Sequence, residues 1–406
     1  MNRPTLEVGD VIRKYTPAFL DRYDGVLSID QRRVLEDLAL CRTAALGGHV
    51  EECDQCGQRR IAYNSCRNRH CPKCQAMARA RWMAERAKEL LPVEYFHVVF
   101  TLPDDLAPIG LQNPRLVYNL LFRAAAQTML QLAADPKHLG ANIGFLAVLH
   151  TWGQNLHLHP HLHCVVPGGG IALDGSRWVP CRPGFFLPVR VLSRLFRGKF
   201  LAGFHAAFQR EQVRLHGQLA GLADAKAFQD LLDKLYAKEW VVYAKRPFGG
   251  PEQVLKYLAR YTHRVAISNH RLLKLEDDKV FFHYKDYADD SAQKVMGLDA
   301  VEFIRRFLQH VVPSGFVRIR HFGFLANRFR AERLKRCRQL IQDADASQVP
   351  ASPSQEQATE TGAESPSEHQ RCPHCGAGRM IIVERFERAR VQPTRCGATA
   401  GLEDSS

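Results

Sequence analysis

The 406 residues are 46% hydrophobic and 24% charged, a balance that buries a real core, excludes disorder over most of the length and predicts two to four domains. Fifty-six Lys and Arg against 42 Asp and Glu leave a net charge of +14, which points to a polyanionic partner, nucleic acid first. No apolar run approaches the roughly 18 to 20 residues of a membrane span, and Met1–Tyr15, with Glu7 and Asp10, lacks the apolar stretch of a secretory leader, so the expectation is a cytoplasmic protein without membrane contact.

In chain order, Ser28-Ile29-Asp30 caps a helix expected over Gln31–Ala45, with Val34, Leu35, Leu38 and Leu46 near one face. Residues 49–75 are dense in Cys and His, and 76–91 read as a helix ending before Pro92. Tyr95–Leu102 reads as a strand, Pro114–Ala134 as a helix, and Ile143–Trp152 and Leu162–Val166 as buried strands. Gly168-Gly169-Gly170 turns into a further strand at Ile171–Leu173. Helical sequence follows over about 189–238, a strand at Trp240–Ala244, and helical periodicity over Glu252–Tyr261. Strands are expected near 264–268, 271–276 and 279–284, then a helix over Leu298–His310. Strands followed by helices, with hairpin-like pieces, predict an α+β protein with an antiparallel sheet. Residues 343–371 carry six acids against one Arg and almost nothing apolar; that composition predicts a disordered linker.

Twelve cysteines without a leader, several spaced in pairs, suit metal binding in a reducing compartment rather than disulfides. Cys53-x2-Cys56 and Cys71-x2-Cys74 are two knuckles whose paired sulfurs face one ion across a tight turn. Gly57 and Pro72 suit such turns, and four thiolates close a structural, tetrahedral zinc site. His49, Cys66 and His70 remain, either for a second ion or as buried, hydrogen-bonded residues. A closed zinc site has no open position for catalysis. With Arg59, Arg60, Arg67, Arg69 and Lys73 around it, its role is to grip DNA.

The densest chemistry is the run His150-Thr-Trp-Gly-Gln-Asn-Leu-His157-Leu-His159-Pro-His161-Leu-His163. In an extended chain alternate residues share a face. Pro160 cannot donate to a ladder, so the paired strand should begin at or after it, leaving His161 and His163 rigidly side by side. Two strand histidines leave a cation partly open, as catalysis requires. For the third ligand His150, His157 and His159 compete. Downstream, Tyr257 and Tyr261 stand at i and i+4 on one expected helix face. Either hydroxyl becomes a competent nucleophile toward a phosphodiester whose charge a cation stabilises. Near 318–338, Arg318, Arg320, Arg328, Arg330 and Lys335 form a basic patch expected to bind backbone phosphates.

His161-Leu-His163 resembles the HUH motif (His, bulky hydrophobic, His) of single-strand DNA endonucleases, and Tyr257 with Tyr261 resembles the tyrosine pair of its two-tyrosine branch. Together with the cysteine module, Gly168-Gly169-Gly170, Tyr261-Thr-His-Arg-Val-Ala-Ile-Ser and Arg318-Ile-Arg-His-Phe-Gly-Phe-Leu-Ala-Asn327, roughly residues 30–340 resemble rolling-circle transposases of the insertion-sequence-ninety-one type. The resemblance implies an antiparallel sheet with the HUH on a central strand, Mg2+ or Mn2+ at His161 and His163, and Tyr257 and Tyr261 as nucleophiles that nick and rejoin single-stranded DNA at element ends through 5′-phosphotyrosines. His150, eleven residues before the HUH, has a spacing similar to the third metal histidine of conjugative relaxases. The expected organisation is a helical, zinc-ribbon-like DNA-binding domain over 1–91, the two-tyrosine catalytic domain over 92–342, the linker over 343–371, and a tail over 372–406. In that tail Cys372-Pro-His-Cys375 with Cys396 resembles half of a ribbon or a degenerate one. Rival expectations are a plasmid replication initiator or relaxase with the same chemistry, and a zinc-dependent DNA-binding regulator without catalysis. A metallohydrolase would need a carboxylate base, and none occurs between His138 and Gly170.

Overall fold

A computed structural model describes residues 4–245, 265–286, 289–346 and 371–388. Its helices are α1 (Val8–Tyr23), α2 (Ile29–Leu40), α3 (Pro72–Ala87), α4 (Ala107–Gln112), α5 (Pro114–Ala134), α6 (Val189–Gln209), α7 (Ala225–Ala237), α8 (Ala300–Leu308) and α9 (Arg330–Ala346). Its strands are β1 (Gly48–Cys53), β2 (Arg59–Tyr63), β3 (Tyr95–Thr101), β4 (Ala141–Asn142), β5 (Gly144–Trp152), β6 (Leu158–Pro167), β7 (Gly169–Ala172), β8 (Trp178–Pro180), β9 (Val242–Lys245), β10 (Leu272–Glu276), β11 (Lys279–Asp286), β12 (Ala292–Asp299), β13 (Ile319–Gly323) and β14 (Met380–Phe386). The chain is mixed α and β with antiparallel sheets, and its contacts define two units: Met1–Glu36 with Arg67–Glu356, and Asp37–Cys66 with Gln357–Ser406.

In the larger unit a five-stranded antiparallel sheet runs β13-β5-β6-β3-β9. The two-residue repeat of its strands sorts side chains to opposite faces. Phe145, Ala147 and Leu149 of β5, Leu162, Cys164 and Val166 of β6, and Phe96, Val98 and Phe100 of β3 join one buried core with α5 and α6. Pro114 opens α5 at a first-turn position where a missing N–H costs nothing, and Val117, Leu121, Phe122, Ala125 and Met129 recur at helical spacing on its buried side. Tyr95, Leu146, Val148 and Val165 form a smaller apolar cluster, and they hold the alternate positions of the same strands. A three-stranded meander, β10-β11-β12, leads into α8, whose N-cap Asp299 accepts from the Val301 and Glu302 N–H groups at 3.0 and 3.1 Å.

The smaller unit is a three-stranded antiparallel sheet, β14-β1-β2. β1 is central: Glu52 opposes Arg59 on one side and Ile381 on the other. The C-terminal segment is therefore not a tail module of its own. Its strand supplies an edge to the N-terminal cysteine hairpin, a pairing that no local pattern announces.

Other expectations shift for local reasons. Helix α2 begins at Ile29 rather than Gln31, because Ser28 and Gln31 form a reciprocal cap in which the Gln31 N–H donates to Ser28 Oγ at 3.2 Å and the Ser28 N–H to Gln31 Oε1 at 3.0 Å. The stretch 189–238 breaks into α6, a 3-10 turn over Gly217–Ala223, and α7. No strand occupies 265–268; a 3-10 turn over Asn269–Arg271 follows instead. Of the expected linker, Asp343–Ala346 are the end of α9, and 347–370 lie outside the described residues.

Candidate active site

The histidine centre follows from strand alternation. On β5 and β6, His150 stands opposite His161, and His163 opposite Val148. All three occupy the face away from the α5–α6 core. One ring nitrogen from each of His150, His161 and His163 lies within 4.8 Å of the others. His161 Nε2 and His163 Nε2 are 3.1 Å apart. That separation suits adjacent positions on an octahedral cation with bonds of about 2.1 Å, for which neighbouring donors lie about 3 Å apart. His161 Nδ1 lies 2.6 Å from the His159 carbonyl, which only accepts; Nδ1 therefore carries the proton and Nε2 keeps its lone pair.

His157 and His159 stand outside this group. Strand β6 begins at Leu158, before Pro160, because Pro160 sits where the pairing with β5 is irregular and contributes only its carbonyl, accepting from the Leu102 N–H at 3.1 Å. His159 is half-exposed, with its Nδ1 3.5 Å from an Asp104 carboxylate oxygen, and burial lowers His157 below the usual imidazole range.

Two supporting histidines carried no signal in the sequence. His97 on β3 places its Nε2 2.8 Å from His163 Nδ1, and burial, then Lys245, hold it down at about 3. A neutral imidazole there fixes the His163 ring. His310 is buried, pushed by burial to about 4, and bonds Thr151 Oγ1 at 3.3 Å and the Leu156 carbonyl at 3.1 Å. It fastens the hairpin between β5 and β6.

The triad opens into a cleft of about 1080 Å3, also lined by Asp104, Asp286 and Arg306. That volume exceeds what one ion needs. Two carboxylates thus reach the cleft from distant segments, although none lies near the histidines in sequence. Asp286 is engaged by Lys294 Nζ at 2.9 Å. Tyr257 and Tyr261 lie outside the described residues.

The basic patch divides. Arg318 is buried at 8% exposure, lowered by burial to about 10, with its Nη2 3.4 Å from Gln75 Oε1. Arg320 stacks on the Phe122 ring at 4.1 Å and donates to Asn119 Oδ1 at 2.6 Å. Both make internal contacts, because β13 is an edge of the main sheet and turns them toward α3 and α5. Arg330 pairs with Glu89 at 3.3 Å. Arg328 and Lys335 are exposed.

The cysteines also regroup. Cys53 and Cys56 gather with Cys372 and Cys375 rather than with Cys71 and Cys74, because β14 brings the C-terminal knuckle beside the end of β1. With four thiols around one point, a tetrahedral set is complete without Cys71 and Cys74. Those two stand at the N-cap and first turn of α3. His49 binds Glu51 at 3.1 Å, and His70 is buried and lowered by burial to about 3. Cys396 lies outside the described residues.

Two family models match the segments that carry the cleft histidines and the N-terminal cysteines. A family model described as "Putative transposase" matches residues 144–333, and one described as a transposase zinc-binding domain matches 11–102. The protein is thus a DNA-processing enzyme of the transposase class. "Putative transposase y4qJ" of Sinorhizobium fredii (strain NBRC 101917 / NGR234) is 55% identical over 405 residues, 98% of this chain and 100% of that protein. "Transposase for insertion sequence element IS801" of Pseudomonas savastanoi pv. phaseolicola is 28% identical over 330 residues, 80% of this chain and 77% of that protein. The chain belongs to this insertion-sequence transposase family, the IS91 and IS801 type. No solved structure matches it. No helix among the described residues is long and apolar enough to cross a membrane.

Proposed function

We propose that this transposase nicks and rejoins single-stranded DNA at element ends by rolling-circle-type chemistry, with Tyr257 and Tyr261 as nucleophiles. The observation that carries the reading is the convergence of His150, His161 and His163 on one open face of the sheet. Three imidazole nitrogen donors with room beside them fit a divalent cation that keeps exchangeable positions. When bound there, Mg2+ or Mn2+ would draw charge from the scissile phosphate. His97 and the His159 carbonyl hold the ligand rings, and the cleft takes up the strand. Arg328 and Lys335 contribute backbone attraction.

The tyrosines act in sequence. One hydroxyl attacks phosphorus and the bond to the 3′-oxygen breaks. The phosphoryl group passes to the phenolic oxygen as a 5′-phosphotyrosine, the phenolic proton is lost, and the 3′-oxygen leaves as a free 3′-OH. A later attack by a 3′-OH on the phosphotyrosine restores a phosphodiester and regenerates the tyrosine. Each step exchanges one phosphoester for another, so no ATP is consumed. The second tyrosine, one helical turn away in the expected helix, serves the other end or the target.

The test is incubation of the protein with end-labelled single-stranded element DNA and Mn2+ or Mg2+, resolved on a denaturing gel. Cleavage with a covalent protein–DNA adduct is expected. Duplex binding with neither product would remove the reading and leave a non-catalytic DNA-binding protein.

A further inference from the structure

The zinc-binding match ends at residue 102, yet the sulfurs that surround Cys53 and Cys56 come from beyond residue 370. We propose that Cys53, Cys56, Cys372 and Cys375 bind a single zinc ion, so that the first and last described segments of the chain build one ribbon together.

The fit rests on four observations. Cys53 Sγ lies 3.7 Å from Cys375 Sγ, and Cys56 Sγ lies 3.7 Å from Cys372 Sγ. A tetrahedral ion with zinc–sulfur bonds of about 2.3 Å has edges of about 3.8 Å, whereas a disulfide needs about 2.05 Å. All four sulfurs fall within 4.8 Å of one another and are reduced.

The two knuckles are built alike. In each, the residue after the second cysteine is a glycine with left-handed φ, Gly57 at +67° and Gly376 at +69°. In each, that glycine's N–H returns to the first cysteine's carbonyl, at 3.1 Å for Gly57 and 2.9 Å for Gly376. This is the turn that aims both sulfurs of a Cys-x2-Cys at one point.

Backbone N–H groups also turn toward the sulfurs. His374 donates to Cys372 Sγ and Gly378 to Cys375 Sγ, both at 3.4 Å. Such bonds favour the thiolate that zinc requires. Finally, the centre leaves no spare room. A Cβ on Gly378 would stand 2.4 Å from Cys53 Sγ and 2.7 Å from Asp54 Oδ1. The Asp54 N–H donates to the Arg379 carbonyl at 3.0 Å, and the Arg379 N–H to Asp54 Oδ1 at 2.7 Å, clamping the knuckles together.

The consequence is one of order. The ligands are separated by 316 and 322 residues, so the ion closes a loop that contains the whole catalytic segment. Half a ribbon offers two thiolates, and two do not satisfy a structural zinc. The ribbon therefore completes only on a chain synthesised through β14, after the catalytic segment has been made.

The full-length protein is loaded with zinc in reducing buffer, and bound metal is counted for the parent, C53S/C56S, C372S/C375S and the four-fold variant. Each pair should lose one zinc per chain, and the four-fold variant should lose that same one. Full zinc retention by C372S/C375S, or loss of two by the four-fold variant, overturns the proposal. A second measurement needs no variant: thiol alkylation of the parent during chelator titration, read by peptide mass spectrometry. The four cysteines should become reactive together, at one chelator concentration. Reaction of Cys372 and Cys375 in the zinc-loaded parent at denatured-chain rates would overturn the proposal even if the variants misfold.

Discussion

The histidine centre and the cysteine ribbon are both clusters of side chains that could hold a metal ion, assembled in opposite ways. The proposed ligand set at the cleft comes from one hairpin: His150, His161 and His163 lie within 14 residues, and antiparallel pairing of β5 with β6 puts them on one face. The ribbon's four cysteines come from segments far apart in the chain, joined by the β1–β14 ladder. A cluster closed by one hairpin shows in its spacing, because strand periodicity puts His161 and His163 side by side, and only the register of β5 on β6 was needed to add His150 and leave out His157 and His159. A cluster closed over hundreds of residues shows only half of itself at each end, and the nearest knuckle in sequence makes a misleading partner.

The comparison can be tested at both ends. The largest effect belongs to the proposed nucleophiles. Tyr257→Phe with Tyr261→Phe keeps ring volume and removes the attacking oxygens, so every covalent DNA adduct should vanish. Each single change should leave adducts that peptide mapping assigns to the remaining tyrosine; adducts at Tyr236, Tyr243 or Tyr284 would break the assignment.

Next come the ligands. His161→Ala or His163→Ala should lower nicking by on the order of 100-fold or more, since a cation at the scissile phosphate contributes several kcal/mol. DNA binding and the zinc count should change little if the two clusters are separate devices. A fall in zinc would show that they are not.

His97→Phe should act through position alone. It removes the partner 2.8 Å from His163 Nδ1 while filling the space. A rise of about 10- to 100-fold in the Mn2+ concentration for half-maximal nicking is expected, with less change in the rate at saturating metal. An unchanged metal dependence would make His97 a packing residue.

In the ribbon, Gly378→Ala should destabilise the β14-β1-β2 sheet by about 1–3 kcal/mol, the usual cost of overpacking, because its Cβ meets Cys53 Sγ. Hydrogen exchange of the β1 and β14 amides is the measurement.

The smallest effect is electrostatic. Hydrogen bonds from Arg305, then Arg306, hold the Glu302 carboxyl at about 2, below its ordinary range. A depressed carboxylate stabilises the fold above its unfolded pKa, near 4.3, and that stabilisation is lost as pH falls toward about 2. Glu302→Gln should therefore flatten the acid limb of stability between about pH 4.5 and 2, by under about 1 kcal/mol for so exposed a group.

Much was legible where structure is local. α5 runs over Pro114–Ala134 as its proline start and apolar spacing indicate, the ends of β5 fall within one residue of their expected places, and β6 begins four residues early and ends one late. Less was legible where burial depends on partners. Nothing near Arg318 in sequence says that it faces Gln75 rather than solvent. Nothing near His97 says that it backs His163; β12 and β13 are too polar or too short to stand out from loops, and β14, although apolar over Met380–Val383, is a strand whose partner β1 lies more than 300 residues away.

By itself, then, the amino-acid sequence determined the basic charge, the α+β class, the histidine face and the three Cys-x2-Cys pairs, because each depends on residue type and on repeats of two to four positions. Only the tertiary structure decided which pairs share a centre, which arginines make internal contacts, and which buried histidines support the site. Those outcomes depend on strand pairing between segments far apart in the chain, and side-chain spacing carries no record of such partners.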